Sequence, residues 1–226
     1  MMIWRELFGG QTTGLDRVRQ QLLEMLEIDR RTFDIACAPL LAGADVGEAK
    51  RAASESDHEV NQRVQEVRRE LVVHASARGD MNDMPTLLVY MSIVKDIERI
   101  GDYAKNILDI ARAGGDLSSQ ADDRDDIADY QQRVSALISE VRGVFADQNT
   151  SEATRLLTSW GKVSRDLDSR VGALVSADTS ASHAVPRALY YRYLKRIIGH
   201  LMNILTALVM PLDKLDFFWE EHEADQ

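Results

Sequence analysis

Two carboxylates stand four residues apart in the most informative stretch of this chain, residues 95–107. The stretch has the sequence Lys-Asp-Ile-Glu-Arg-Ile-Gly-Asp-Tyr-Ala-Lys-Asn-Ile, in which Glu98 and Asp102 form the pair. On a helix, like charges at this spacing repel each other and cost a few tenths of a kcal/mol. A chain that carries such a pair either neutralises it with nearby cations or uses it to hold something positive.

A helix must position this pair, because apolar residues recur at helical spacing on both sides of it. The steps alternate between four and three residues, and the stripe consists of Ile93, Ile97, Ile100, Ala104, Ile107 and Ala111. At about 100° per residue, Asp102 lies opposite the centre of this stripe and Glu98 lies close to the same outward direction. We therefore expect both carboxylates on the outward face of the helix.

Two interpretations of these outward acids are open. Arg99 and Lys105 each stand three residues from Asp102, so the face could be a solvated surface of ion pairs. Exposed pairs of this kind contribute under about 1 kcal/mol each. The other interpretation is a cation-binding site that uses the acids as ligands.

The run Glu98-Arg-Ile-Gly-Asp102, followed by Asn106 and Ile107, resembles the signature of the PhoU family of phosphate-signalling regulators. Members of that family consist of two similar three-helix bundles and carry Glu/Asp-x-x-x-Asp motifs that hold metal ions at the bundle surface. The resemblance implies that Glu98 and Asp102 face a metal. It also implies an all-α fold, a tandem repeat of two antiparallel three-helix bundles, which we assign to residues 1–115 and 116–226.

A second copy of the motif is present but altered. Aligning residues 193–204 with 96–107 gives these identities: Arg99 with Arg196, Ile100 with Ile197, Asn106 with Asn203, and Ile107 with Ile204. Both acids are lost, because Lys195 stands at the position of Glu98 and Gly199 at that of Asp102. A cation at a ligand position argues against a metal site. We therefore expect any metal on the first bundle only.

An earlier stretch, residues 55–61, resembles the Asp-x-x-x-Asn/Asp motif that the family carries on the second helix of a repeat. The resemblance implies that Asp57 and Asn61 are further metal ligands; Ser164 and Asp168 take their places in the second half. Asp57 also projects close to the apolar stripe of its own helix. A carboxylate that faces other helices is costly unless it is paired or metal-bound. The alternative is a position near a helix start, where water and the helix dipole satisfy it.

The overall composition excludes some classes of function. The 226 residues carry a formal net charge of −10, which argues against nucleic-acid binding and favours cations or basic partner surfaces. Cys37 is the only cysteine, and the N-terminus has no signal-peptide pattern, so we expect a cytoplasmic protein. The longest apolar run, Leu201–Leu212, is too short to span a bilayer.

Capping residues, apolar periods and glycine or proline stops predict six helices and essentially no sheet. The predicted helices cover about 13–39, 46–78, 82–113, 125–147, 151–177 and 181–210. Residues 114–123 are polar and acidic, and they are predicted to link the two repeats.

The resemblance implies a regulator of phosphate uptake or phosphate signalling that works by protein–protein interaction and not as an enzyme. The implied partners are a phosphate transporter or its cytoplasmic subunit, a phosphate-sensing histidine kinase, and further copies of the chain. The implied cofactor is a divalent or trivalent metal ion, and carboxylate and amide oxygens suit iron, manganese, magnesium or calcium, with zinc as a further candidate.

Alternatives of other classes remain open. One is a metal-binding helical scaffold without a phosphate role. Another is a bundle-type carboxylate oxidase, which is disfavoured because such enzymes use inward-facing Glu and Glu-x-x-His ligands. Within the regulatory interpretation, the altered second motif leaves open a divergent paralogue that serves a sodium–phosphate cotransporter.

Overall fold

The computed structural model describes residues 13–78, 81–118, 124–216 and 218. The described residues form six long helices and no strand, which confirms the all-α prediction for this part of the chain. The helices are α1 (Thr13–Ala42), α2 (Val46–Arg78), α3 (Met84–Arg112), α4 (Arg124–Asp147), α5 (Thr150–Ser176) and α6 (Ala181–Val209). Of the predicted linker, residues 119–123 lie outside the described residues.

The helix ends follow local chemistry. Helix α1 continues past Pro39, where the sequence predicted its end, and stops before Gly43, whose φ is +68°. A left-handed residue of this kind is the usual helix stop, and glycine adopts it without steric penalty. Gly114, with φ of +88°, follows α3 in the same way, and Pro211 follows α6.

The apolar stripes of the helices form one continuous core. Helices α1, α2 and α3 pack on one another, and α5 packs mainly on α6. The two groups are joined because α3 packs on α6 and α1 packs on α4. Ile100 on α3 and Ile197 on α6 are both fully buried, as the alignment of the two motifs requires.

Helices α2 and α3 run antiparallel, which sets the level of each motif residue. Asp57 on α2 contacts Lys105 on α3, and Arg68 further along α2 contacts Glu98 further back on α3. The two acidic motifs therefore lie on facing helices of the first repeat. None of the described helices combines the length and the apolar character that crossing a membrane requires.

Candidate cation site and its counterpart in the second repeat

Helices α2 and α3 bring Asp57 and Asp102 to the two sides of one ammonium group. The Nζ atom of Lys105 lies 2.5 Å from Oδ1 of Asp57 and 3.1 Å from Oδ1 of Asp102. All three side chains are about a third exposed. Two carboxylates from different helices therefore share a single cation, which the chain itself supplies.

The ammonium is held in its charged form. Partial burial works against the charge on Lys105, but the hydrogen bonds that it donates to Asp57 and Asp102 outweigh burial and raise its pKa. On the outer side, Nη1 of Arg99 lies 3.1 Å from Oδ2 of Asp102. The ion pairs expected from the spacing of Arg99, Asp102 and Lys105 are thus formed, and one of them extends to a second helix.

The position of Asp57 on its helix excludes the alternative that a helix start stabilises its charge. Helix α2 begins at Val46, so Asp57 lies about three turns inside it. The helix dipole acts on the first turn and falls off beyond it. The charge of Asp57 is therefore balanced by Lys105 rather than by a helix start.

The other two predicted ligands lie outside this cluster. Oε1 of Glu98 accepts a hydrogen bond from Nζ of Lys95 at 2.7 Å, and Oε2 lies 3.9 Å from Nη2 of Arg68. Asn61 makes no side-chain hydrogen bond to the predicted acids within the described residues. In that part of the chain, no three His, Cys, Asp or Glu side chains are grouped as metal ligands. The structure thus joins Asp57 with Asp102, and metal binding by the four residues stays a prediction.

A third carboxylate, which sequence reasoning missed, lies beneath the cluster. Asp29 on α1 is only 1% exposed, and neither of its carboxylate oxygens has a hydrogen-bond partner among the described residues. Burial raises the pKa of Asp29 well above its ordinary value, the charges of Asp102 and Asp57 raise it further, and Lys105 opposes them. This environment favours the protonated form of Asp29.

Gly101 allows this close approach of α1 to α3. A Cβ atom at position 101 would lie 2.7 Å from Oδ1 of Asp29, nearer than real contacts allow. The sequence did contain a signal for Asp29. The apolar stripe of α1 runs through Leu15, Val18, Leu22 and Met25, and its next step of four residues falls on Asp29.

The surface above this cluster is an open cleft of about 510 Å³. A second cleft, of about 310 Å³, lies on the other repeat. Residues that the sequence aligns line both clefts: Asp57 and Ser164, Arg99 and Arg196, Asp102 and Gly199, and Asn106 and Asn203. The alignment of the two halves therefore holds in space, and the two clefts are counterparts.

The second cleft lacks the pair of acids that defines the first. Lys195, which stands at the position of Glu98, pairs with Asp168 on α5, and Nη1 of Arg192 lies 3.7 Å from Oδ1 of the same acid. The positions of Asp57 and Asp102 are occupied there by Ser164 and Gly199. That any metal binds on the first bundle only stays a prediction.

A polar contact between the repeats was also missed. Oδ1 of Asp96, on α3, lies 2.8 Å from Nδ1 of His200 and accepts a hydrogen bond from Nδ2 of Asn203 at 2.9 Å. Asp96 is buried, and its two partners on α6 line the second cleft. This contact fixes two side chains of the second cleft from the first repeat.

Comparison with known proteins supports this fold. Residues 22–111 match the family model described as PhoU domain. The structure of PhoU from Pseudomonas aeruginosa superimposes with a TM-score of 0.73 at 21% identity, over 89% of this chain and 98% of that one. The phosphate transport system regulatory protein PhoU from Streptococcus pneumoniae gives 0.73 at 18% identity, over 88% and 94%. No curated protein matches the sequence. At these identities the structural likeness establishes the fold.

Proposed function

We propose that this chain, which belongs to the PhoU family through residues 22–111, regulates phosphate transport and phosphate-responsive signalling. One observation carries the proposal: the matched segment contains the whole cluster of Asp29, Asp57, Asp102 and Lys105. A solved structure of the same fold is that of a regulatory protein of a phosphate transport system. The function proposed is binding and relay rather than catalysis.

The first-repeat cluster suits a hard metal ion in its donor chemistry. It already binds a cation, the Lys105 ammonium, and Asp29 beneath it has two buried oxygens without partners. Asp57 and Asp102 would hold the ion, with Asn61 and Glu98 on adjacent turns as the further ligands. When bound, an ion such as iron, manganese, zinc or magnesium would supply fixed positive charge at the surface of α2 and α3.

Lys105 sets the threshold for such binding. Its ammonium pairs with both carboxylates that the metal needs, so the metal must displace it. With Arg99 also paired to Asp102, two cations balance the two carboxylates without metal. Lys105 acts as an internal competitor that makes occupancy depend on metal concentration.

The proposed partners are a membrane phosphate transporter or its cytoplasmic subunit, and a phosphate-sensing histidine kinase, met from the cytoplasmic side. A formal net charge of −10 favours docking against basic loops of the partner. Such contacts weaken with salt, because the Debye length is about 8 Å at physiological ionic strength. Self-association of the chain is part of the proposal.

The regulatory role is tested by deleting the gene and measuring phosphate uptake and phosphate-responsive transcription in rich and in starved medium. We expect a changed response that the wild-type gene restores and the Asp57→Asn, Asp102→Asn double variant does not. Asp129→Asn is the matched control, because Asp129 is an exposed acid on α4 whose partner is Arg133. Unchanged uptake and transcription in both media would leave the metal-binding scaffold as the better hypothesis.

The metal is tested separately by elemental analysis of the purified chain. We expect the Asp57→Asn, Asp102→Asn double variant to lose bound metal while its helical circular dichroism is unchanged. Lys105→Met removes the competing ammonium and should bind metal more tightly than the wild type. Equal metal content in the wild type and the double variant, or metal that instead depends on Lys195, would contradict the site.

A further inference from the structure

We propose that the cleft of the second repeat is a binding site for a small oxyanion, inorganic phosphate or a phosphoryl group. This inference goes beyond the proposed function and does not require the first-repeat metal. It rests on a difference between two clefts built from aligned positions: basic side chains line both, but the second lacks the two acids that face Lys105 in the first. Where the first cleft has Asp57 and Asp102, the second has Ser164 and Gly199.

Three cations of α6 line the second cleft: Arg192, Lys195 and Arg196. Residues three and four apart share a helix face, so these side chains reach the same opening. Gly199 follows them on that face, and a Cβ built there meets nothing within 4 Å. The missing side chain leaves room beside the cations, where the first repeat has a carboxylate.

The charge of these cations is not fully balanced within the protein. Asp168 is a single carboxylate that lies against both Lys195 and Arg192. Arg196 is exposed and has no ion pair with any described residue. A guanidinium presents a planar fork of donors that suits a phosphate or carboxylate, so Arg196 is the free donor of the site. The carboxylate of Asp168 already shows that Lys195 and Arg192 can bind one oxyanion together.

The remaining polar groups of the cleft are compatible with an anion. Ser164 adds a hydroxyl donor, and the Asn203 amide, fixed by Asp96, has a second N–H available beyond that bond. Asp216 is the one acid among the lining residues. Burial raises the pKa of Asp216 and the charge of Asp96 raises it further, against the effect of His200. This shift weakens the repulsion that Asp216 would exert on an anion.

The size of the cleft points to a small ligand. Its volume of about 310 Å³ is at the lower end of ordinary ligand pockets, which begin at roughly 300 Å³. A phosphate-sized group that contacts Arg196, Lys195 and Ser164 fits this scale better than a peptide or a helix. The chemistry recognised is the tetrahedral oxyanion, whether it is free or carried by a nucleotide.

The test is titration calorimetry of the full chain after treatment with a chelator, so that no metal carries the anion. Inorganic phosphate, sulfate and adenosine diphosphate are titrated separately. We expect saturable binding of phosphate at one site per chain. Tighter phosphate than nucleotide would identify the free anion as the ligand, and the reverse would identify a nucleotide phosphoryl group.

Variants assign the binding to the cleft. Arg196→Gln should raise the Kd roughly tenfold, the loss expected for one hydrogen bond to a charged group. Arg165→Gln is the matched control, because Arg165 is an exposed arginine next to Ser164 that does not line the cleft. Asp168→Asn frees Lys195 and Arg192 and should lower the Kd.

Several results would overturn the proposal. They are the absence of saturable phosphate and nucleotide binding, equal losses in Arg196→Gln and Arg165→Gln, or binding that disappears in the Asp57→Asn, Asp102→Asn variant. Arg196 is exposed, and unchanged circular dichroism would show that its variant is folded. Failure here leaves the proposed function standing, since the genetic test of that function uses first-repeat residues.

Discussion

The two clefts occupy aligned positions of the two repeats but differ in what they offer a ligand. In the first, Asp57 and Asp102 surround the ammonium of Lys105. In the second, Ser164 and Gly199 leave the cations of α6 with Asp168 as their shared acid. The difference shows that a duplicated helix pair can keep its backbone arrangement while one copy loses the acids that face a cation in the other.

The packed face of the same helices did not change in this way. Ile100 and Ile197 are identical and fully buried, although Glu98, two residues before Ile100, is replaced by Lys195 in the second repeat. A core at crystal-like density tolerates few changes in volume, whereas an open cleft imposes no such limit. The repeat is therefore most visible in its apolar positions and least visible in its candidate ligands.

The largest expected effect tests whether the two repeats share one core. Ile100→Ala and Ile197→Ala should each lower the free energy of unfolding by about 2–5 kcal/mol, as buried isoleucine truncations do. Because α3 packs on α6, both variants should shift one cooperative urea transition monitored by circular dichroism. Val175→Ala, at a position 80% exposed, is the control and should change stability by under about 0.5 kcal/mol.

Separate transitions for the two repeats would contradict this picture. If Ile100→Ala shifted only one of them and Ile197→Ala only the other, the bundles would be independent folding units. The assignment to residues 1–115 and 116–226 would then describe two domains rather than two repeats around a common core.

The fold could be predicted from the sequence because helix formation is governed by local signals. Apolar steps of three and four residues and the stops at Gly43 and Gly114 define the helices directly. The sequence erred at Pro39, because α1 continues through this proline to Ala42 despite the lost hydrogen bond and the crowding of its ring against the preceding turn. The alignment of the two halves was based on identical residues such as Ile100 and Ile197.

The candidate site was predictable only in part, because its electrostatics depends on contacts between helices. The resemblance to the family motifs grouped Asp57 with Asp102, but nothing in the sequence indicated that Lys105 would bridge them. Asp29 interrupts an apolar stripe on a third helix, and its proximity to the pair arises from packing at Gly101. Local patterns contain no information about such tertiary distances.

A second prediction concerns Asp29, the buried acid beneath the first cleft. The raised pKa of Asp29 means that the folded chain keeps a proton that the unfolded chain releases above about pH 4. Stability then falls as pH rises from the unfolded pKa towards the folded one, by up to about 1.4 kcal/mol per pH unit. Asp29→Asn removes this titration, so its stability relative to the wild type should increase with pH across that window.

The measurement is urea unfolding of both proteins at several pH values from 4 to 7, the range chosen because it begins near the unfolded pKa of roughly 3.9. Parallel stability curves for the wild type and Asp29→Asn would show that Asp29 ionises in the folded chain as easily as in the unfolded one. An exposed acid gives the reference slope; Asp129→Asn should follow the wild type at every pH.

The smallest expected effects come from two glycines, one on the third helix of each repeat. Gly101→Ala places a Cβ 2.7 Å from Oδ1 of Asp29, and the resulting strain should exceed the gain in helix propensity. We expect a net loss of about 1–2 kcal/mol in the free energy of unfolding. At Gly199 a Cβ meets nothing within 4 Å, so Gly199→Ala should stabilise the chain by up to about 1 kcal/mol. Thermal or urea unfolding measures both.

In an Asp29→Ala background the clash partner is absent, and Gly101→Ala should then behave like Gly199→Ala. If Gly101→Ala stayed costly in that background, the strain would lie in contacts of α3 other than the one with Asp29. Gly101 would then not be the residue that allows a carboxylate to be buried beneath the first cleft.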